Sequence, residues 1–249
     1  MSAAAAPGAV IDRRVEDGVT LELVQRGEAF DVLVDGRRVM RSDARRAEKQ
    51  LVELALAPLG QRDDISVVLA GLGMGFTLRA LLDAPGVVRV DVVEASAGVL
   101  EWEARHFAGL NGDARNDPRV TLHAMDLAAF VKSLRTKSIA APGPEGSGGW
   151  LALILDMDEG PALVSRPGND AFYEDEGIER LETALRPGGV LAMWSATRES
   201  ALLQRMHARL KNVAEVVVPV DLDDGKSNLD YVYRGRRPPN PVEPKGPLN

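Results

Sequence analysis

The fold is decided by residues 66–82, which read SVVLAGLGMGFTLRALL. The short, mostly apolar run at residues 66–69 is typical of a strand that is buried on both faces of a parallel sheet. Three glycines follow at alternate positions, and leucines then recur at helical spacing. Glycine lets the backbone turn sharply and approach a ligand, while the amides at a helix N-terminus point into the crevice. This motif alone is a weak signal, because a tight strand-to-helix turn without a ligand has the same pattern.

The same alternation of strand and helix patterns continues along the chain. Runs too apolar for surface strands occupy residues 88–93, 119–122, 151–155 and 190–194. Strands that alternate with amphipathic helices predict an α/β fold with a doubly wound, mostly parallel sheet. Two further strands are predicted at residues 215–220 and 229–233, and they would close one edge as an antiparallel pair. The sheet would then have seven strands.

The N-terminal part of the chain has a different pattern, which predicts a small appendage. Apolar and polar residues alternate at 20–24 and 30–34, and Asp35-Gly36 then suits a tight type I′ hairpin turn. A helix is predicted after this hairpin and up to Pro58. The predicted domains are a disordered tail at 1–10, a β-hairpin and helix appendage at 11–60, the main domain at 61–236 and a disordered Pro-rich tail at 237–249.

Composition excludes several classes of function. The chain has 249 residues, with 30 Lys and Arg against 37 Asp and Glu, which gives a net charge of −7. With no cysteine there is no disulfide, no thiolate metal site and no Cys nucleophile, and three scattered histidines make a metal centre unexpected. The acidic balance and 4% aromatic residues argue against nucleic acid as a partner. No run is long enough to span a membrane and the N-terminus lacks a signal-peptide pattern, so we expect a cytoplasmic protein.

Acidic residues follow two of the predicted strands. In doubly wound sheets ligands bind beyond the carboxyl ends of the strands, so these residues are candidates for contact with a ligand. Glu94 lies 19 residues after Gly75, where a carboxylate can accept hydrogen bonds from both hydroxyls of a ribose. The alternative is a carboxylate that caps the next helix. Asp126 could accept a hydrogen bond from the exocyclic amine of adenine, and it could equally cap a helix at residues 127–134.

A cluster of carboxylates follows the predicted strand at residues 151–155. Asp156, Asp158 and Glu159 repel one another, which is costly unless they are solvated or face a cation. The cluster is therefore a candidate for binding a small cationic acceptor, such as an amine. The alternative is a solvated acidic loop, which is common in an acidic chain.

Two features distinguish a nucleoside-binding transferase from a nicotinamide-dependent dehydrogenase. Phe76 occupies the place of the third glycine of the dinucleotide motif. Residues 185–190, LRPGGV, form a turn of the kind that precedes the fifth strand of nucleoside-type methyltransferases.

Several of these segments together resemble the spermidine synthases. The similarity lies in residues 68–79, Val93-Glu94, 119–126, Asp156, Phe172-Tyr173 and 185–190, within a match over roughly residues 30–235. Spermidine synthases belong to the class I S-adenosylmethionine-dependent methyltransferase superfamily. The resemblance implies a Rossmann-like methyltransferase fold that binds S-adenosylmethionine or its decarboxylated form, without a metal.

The resemblance also assigns roles to residues. The glycine loop would line the amino-acid and ribose parts of the cofactor, Glu94 would bind the ribose hydroxyls, and Asp126 with Leu127 would contact adenine. Asp156 would take the place of the catalytic aspartate that orients the attacking amine. The predicted cofactor-binding residues are Gly71, Leu72, Gly73, Gly75, Glu94, Ala95, Asp126 and Leu127, and the predicted catalytic residues are Asp156, Asp158 and Glu159.

Departures from the family pattern determine the functional prediction. Met74 stands where the family has the aspartate that binds the aminopropyl amine, and residues 40–51 lack the Tyr-His pair that holds the polyamine. The prediction is therefore a methyltransferase of spermidine synthase-like ancestry that acts on a small, amine-bearing acceptor. One alternative is a polyamine aminopropyltransferase that uses decarboxylated S-adenosylmethionine. A second alternative is a non-catalytic scaffold that binds an adenosyl nucleoside, and in each case we expect a homodimer.

Overall fold

The computed structural model of the protein describes residues 8–43, 46–136, 138–143, 149–221 and 227–239. These residues form a seven-stranded sheet and a separate four-stranded sheet. The large sheet has the strand order β10-β11-β9-β8-β5-β6-β7, in which only β11 runs antiparallel to its neighbours. The predicted doubly wound α/β fold is confirmed. Its strands are β5 (Ile65–Ala70), β6 (Val87–Glu94), β7 (Val120–Ala124), β8 (Trp150–Leu155), β9 (Leu185–Ser195), β10 (Lys211–Asp221) and β11 (Ser227–Arg236).

Burial along the strands follows their place in the sheet. Every residue of β5 and β8 is buried, because both strands lie at the centre and are covered by helices on both faces. The prediction that β7 is equally buried is wrong, since β7 is an edge strand whose residues are exposed or half-buried. The helices are α1 (Arg46–Leu56), α2 (Phe76–Asp83), α3 (Ala97–Trp102), α4 (Ala108–Asn111), α5 (Leu127–Arg135), α6 (Asp175–Ala184) and α7 (Ser200–Arg209), with a π-helical stretch, Glu103–Phe107, between α3 and α4.

The predicted turn at residues 185–190 lies inside strand β9 as a bulge. Trp150 pairs with Leu185 and Ala152 with Val190, so the β9 side carries extra residues. Gly188 adopts a φ of 78° there, which a residue with a side chain rarely adopts.

The N-terminal appendage is a four-stranded antiparallel sheet, larger than the predicted hairpin. Its strands are β1 (Ala9–Glu16), β2 (Val19–Arg26), β3 (Ala29–Val34) and β4 (Arg37–Arg41), in that spatial order. Asp35 and Gly36 both have positive φ, as the predicted type I′ turn requires. Sequence reasoning missed β1, because Val10, Ile11 and Val15 are exposed and leave no pattern of one buried face.

The boundaries of the predicted tails also differ from the structure. Residues 9 and 10 belong to β1, and residues 1–7 lie outside the described part of the chain. Arg237 exchanges backbone hydrogen bonds with Gly188 and Gly189, so the sheet continues into the predicted C-terminal tail, of which residues 240–249 lie outside the described part. No helix in the described residues is long and apolar enough to cross a membrane.

The small sheet packs on the helical segment that follows β6. Leu23 and Val32 are fully buried in one apolar cluster with Trp102 and Phe107. Polar contacts fix the same interface, since the Trp102 indole donates to Asp12 at 2.7 Å and the Gly98 amide donates to Glu16 at 2.8 Å. The small sheet is thereby held beside the carboxyl ends of β5 and β6.

Truncating the side chain that fills this interface should destabilise the protein. We expect Leu23→Ala to lower the free energy of unfolding by about 2–5 kcal/mol, because it leaves a cavity in a fully buried cluster. Urea denaturation of both variants and the wild type measures this, with Val15→Ala as the control. Val15 is 69% exposed, so its truncation should change the free energy by less than about 0.5 kcal/mol. Equal effects of the two substitutions would contradict the packing described here.

Candidate active site

A cavity of about 380 Å³ lies at the carboxyl ends of the central strands. The strand order reverses between β5 and β8, the place where doubly wound sheets bind their ligands. The small sheet and α1 supply the opposite wall of the cavity. Ten of the predicted site residues line it: Gly71, Leu72, Gly73, Glu94, Ala95, Asp126, Leu127, Asp156, Asp158 and Glu159.

The glycine loop brings the ends of β5 and β8 together. Gly71 has a φ of 100°, and a Cβ at this position would lie 2.2 Å from the carbonyl oxygen of Asp156. Only glycine therefore fits between the two strand ends. Gly73 also has a positive φ, and the Met40 sulfur from the small sheet would lie 3.3 Å from its Cβ.

Gly75 is the one predicted cofactor-binding residue that does not line the cavity. It precedes α2 with a φ of 79°, and a Cβ there would lie 2.3 Å from the side-chain nitrogen of Asn111. That buried amide donates to Met74 O and to Glu103. Close packing against Asn111 explains this glycine without a ligand.

Glu94 is held by backbone amides on both of its carboxylate oxygens. Oε2 accepts from Leu72 N at 2.9 Å and Oε1 accepts from Ser96 N at 2.8 Å. Burial raises the pKa of Glu94 above its usual value, against the opposing effect of these amides. The N-cap of α3 is Ser96, whose hydroxyl accepts from Val99 N, so the helix-capping interpretation of Glu94 is wrong. Its orientation is fixed before any ligand binds.

Asp126 caps a helix, one of the two roles that the sequence left open, and it also lines the cavity. Its Oδ1 accepts from Ala129 N at 2.6 Å, which makes it the N-cap of α5. Asp126 and Leu127 also line the cavity, on the side nearest to β7. The capping bond fixes the carboxylate at the edge of the cavity.

Asp156 follows β8 directly, and its carboxylate faces Thr77 in the first turn of α2. The Thr77 hydroxyl donates to Oδ2 at 2.5 Å. Burial raises the pKa of Asp156 to about 6, and the hydrogen bond from Thr77 opposes that rise. A carboxylate with a pKa near neutrality can accept a proton and release it again at physiological pH.

Asp158 is saturated by donors from its own loop. It is buried, and it accepts from Ser165 N at 2.6 Å, Asn169 Nδ2 at 3.1 Å and the Tyr173 hydroxyl at 3.2 Å. These bonds use the carboxylate to organise the segment between β8 and α6. The geometry favours a structural role for Asp158 over the predicted catalytic one.

Glu159 forms an ion pair with Arg37 of the small sheet. Its backbone carbonyl accepts from Ala196 N at 2.9 Å, which ties the loop to the end of β9. The three acids therefore do not act as one group of repelling charges. The cation that faces Glu159 belongs to the protein, and sequence reasoning missed it because Arg37 lies far away in the chain.

His123 and Trp150 form a second polar cluster within the sheet. Both contact the buried carboxylate of Asp91, at 2.9 Å and 2.8 Å. This contact gives His123 a structural role within the sheet. Among the described residues, no group of three His, Asp or Glu is placed to hold a metal ion.

Several cavity residues were not predicted. Met40, Arg38 and Val39 come from β4, Glu48 and Leu51 from α1, and Asp230 from β11. None of them follows a parallel strand, and this is why the search for residues at strand ends overlooked them.

Comparisons with known proteins agree with this fold. The putrescine N-methyltransferase 1 of Nicotiana tabacum is 34% identical over 145 residues, which cover 57% of this chain and 32% of that protein. Polyamine aminopropyltransferase 2 of Streptomyces coelicolor is 39% identical over 171 residues, which cover 67% of this chain and 27% of that protein. The crystal structure of the Thermotoga maritima spermidine synthase superimposes with a TM-score of 0.67 at 16% identity, over 91% of this chain and 72% of that one. No protein-family model matches the chain.

The chain is therefore similar in sequence to these two enzymes and shares the fold of the spermidine synthases. The sequence relatives are transferases of two kinds, one named for methyl transfer and the other for aminopropyl transfer. The chain spans about a third of the length of the first of these curated relatives.

Removing the hydroxyl of Thr77 should change the ionisation of Asp156. The hydrogen bond from Thr77 stabilises the carboxylate form, so we expect Thr77→Val to raise the pKa of Asp156 above about 6. Carboxyl ¹³C NMR titration of protein labelled at aspartate measures this pKa. Thr77→Ser keeps the hydroxyl and should leave the value in place. An unchanged titration in the valine variant would contradict the contact.

Proposed function

We propose that the protein is an S-adenosylmethionine-dependent methyltransferase that acts on a small amine. The cavity has the size of a small-molecule site, with glycine backbone at its floor and a preorganised carboxylate, Glu94, beside it. Gly71, Leu72, Gly73, Ala95 and the pair Asp126-Leu127 would complete the donor subsite, while Gly75 supports it from behind.

The apolar side chain of Met74 is the observation that supports methyl transfer over aminopropyl transfer. Its apolar side chain lines the cavity, is 4% exposed and belongs to one cluster with Leu21 and Phe76. In the spermidine synthase motif this position is an aspartate that binds the aminopropyl ammonium. A thioether in an apolar cluster cannot form that ion pair, so the site lacks the contact that binds the aminopropyl ammonium of the decarboxylated donor.

Aminopropyl transfer is the second candidate function. The similarity to a polyamine aminopropyltransferase favours it, and so does the acidic lining of the acceptor side. Both reactions need the same adenosyl subsite and the same acid after β8. The difference between them lies in the surroundings of Met74.

The acceptor amine must lose a proton to react, because only the neutral form attacks. S-adenosylmethionine supplies an electrophilic methyl group when it is bound. Asp156 orients the amine and accepts its proton, and the Thr77 hydroxyl fixes the carboxylate while this happens. The cavity walls align donor and acceptor and exclude water, which supplies most of the rate enhancement in such transfers.

Loss of the Asp156 carboxylate should abolish transfer without affecting binding of the donor. We expect Asp156→Asn to lower kcat for methylation of putrescine by about 100-fold or more. The wild-type kcat/KM should fall about tenfold per pH unit as the pH drops below about 6, since protonation of Asp156 removes the base. Radiometric transfer assays over a pH range, with calorimetry for the donor, measure both effects. Transfer at the wild-type rate by Asp156→Asn would contradict the role of Asp156, and a wild type that binds the donor without transferring its methyl group would favour the non-catalytic scaffold.

Restoring an acid at position 74 should change the preference for the donor. We expect Met74→Asp to improve binding of decarboxylated S-adenosylmethionine relative to S-adenosylmethionine by about tenfold or more, through the new ion pair. The control Met74→Leu keeps the site apolar and should keep the wild-type ratio. Calorimetric titration of both variants with the two donors gives the ratio of their affinities. A wild-type ratio in Met74→Asp would show that residue 74 does not determine which donor binds.

A further inference from the structure

The glycine loop at residues 71–75 is held from behind by one buried side-chain amide, that of Asn111. Asn111 is 2% exposed, and its Nδ2 donates to the carbonyl oxygen of Met74 at 3.0 Å. The same nitrogen donates to Oε1 of Glu103 at 2.9 Å, and Oδ1 accepts from Ala114 N at 3.0 Å. Both N–H donors of the amide are therefore used. These partners also fix its orientation, because a carboxylate only accepts and a backbone amide only donates.

Glu103 brings a charge into this buried position. It lies fully buried at the start of the π-helical stretch, and its Oε2 forms an ion pair with Arg115 at 3.0 Å. Burying an ion pair costs desolvation, so apolar side chains of similar volume would pack the same space at least as stably. Packing alone therefore does not account for the network. Its contact with the cavity is the bond from Asn111 to the carbonyl of Met74, a residue that lines the cavity.

The loop needs an anchor because three of its five residues are glycines with positive φ. Glycine loses more conformational freedom on folding than any other residue. The first half of the loop is fixed by β6, which accepts hydrogen bonds from the amides of Gly71 and Leu72. At the second half, Asn111 binds Met74 O, and a Cβ at Gly75 would lie 2.3 Å from the Asn111 nitrogen. The amide thus contacts the loop at the point where it enters α2.

We propose that Asn111 is a positioning residue that holds the glycine loop in the conformation that binds the donor. The inference rests on the proposed function in one respect, which is that an adenosyl donor binds on this loop. The bond to Met74 O fixes the peptide group between Met74 and Gly75. A loop that is ordered beforehand loses no further freedom when the donor binds, so the donor binds more tightly. Because Asn111 lies behind the loop and not beside Asp156, its effect falls on the donor and not on the transfer step.

The test exchanges the chemistry of two buried side chains. In Glu103→Gln/Asn111→Asp, the amide at position 103 donates to the carboxylate at position 111, so their hydrogen bond and the single negative charge near Arg115 are kept. The carbonyl of Met74 then faces an acceptor and loses its partner. Glu103→Gln alone keeps the bond from Asn111 to Met74 O but removes the carboxylate that pairs with Arg115. Asn116→Asp makes the matched substitution at an exposed position of the same segment.

We expect the double variant to bind S-adenosylmethionine about tenfold or more weakly than the wild type, with kcat at saturating donor nearly unchanged. Glu103→Gln should lower the thermal midpoint of unfolding, yet keep a donor affinity within about threefold of the wild type. Asn116→Asp should behave as wild type. Calorimetry at about pH 8, where a carboxylate beside Arg115 is ionised, gives the affinities. Hydrogen exchange over residues 70–78, measured without a ligand, should be faster in the double variant alone.

Two results would overturn the role of Asn111: an unchanged donor affinity in the double variant, or affinities that follow the thermal midpoints across the three variants. A purely structural role predicts the second result, because weaker folding and weaker binding then go together. If the wild type binds S-adenosylmethionine but methylates no amine, the proposed function is wrong, and the affinities still decide the role of Asn111. A wild type that binds neither S-adenosylmethionine nor its decarboxylated form would overturn both.

Discussion

The close approach of two strand ends is the constraint on which the site depends. Gly71 leaves β5 with a left-handed backbone, and the carbonyl of Asp156 occupies the space that a side chain at residue 71 would need. The same contact places the Asp156 carboxylate against Thr77 at the start of α2. A ligand bound on the glycine loop would therefore lie directly beside Asp156. The reversal of strand order between β5 and β8 opens the crevice in which both can bind.

The small N-terminal sheet supplies one wall of the cavity and a cation that pairs with one of its acids. Met40 lies over Gly73, and Arg37 neutralises Glu159. The apolar cluster around Met74 joins residues of this sheet to residues of the main domain. Because Met74 of this cluster stands where the related motif has an acid, the proposed donor subsite and the packing of the appendage depend on the same side chain.

Local sequence patterns predicted the features that depend on neighbouring residues. The seven strands of the large sheet, the turn at Asp35-Gly36 and the position of the acids beyond the strand ends follow from periodicity and from the chemistry of turns. Strand β1 left no such pattern, because its apolar residues are exposed rather than directed to one buried face. Gly75 was assigned to the cofactor, although its neighbour is Asn111, more than thirty residues away in the chain.

The roles of the three acids after β8 also depended on distant partners. Each acid has a different partner: Thr77 donates to Asp156, Tyr173 donates to Asp158, and Arg37 forms an ion pair with Glu159. The distances between these residues along the sequence do not predict the pairs. Asp230 was missed because it lies near the start of the antiparallel strand β11. Only the sheet topology shows that this start lies at the carboxyl ends of the parallel strands.

We propose that this site binds a carboxylated sulfonium donor. Calorimetric titration of the wild-type protein with S-adenosylmethionine and, in parallel, with its decarboxylated form tests this preference. The two compounds share adenosine and the sulfonium, so the difference in affinity isolates the surroundings of Met74. Tighter binding of S-adenosylmethionine is the predicted result, and tighter binding of the decarboxylated compound would contradict methyl transfer.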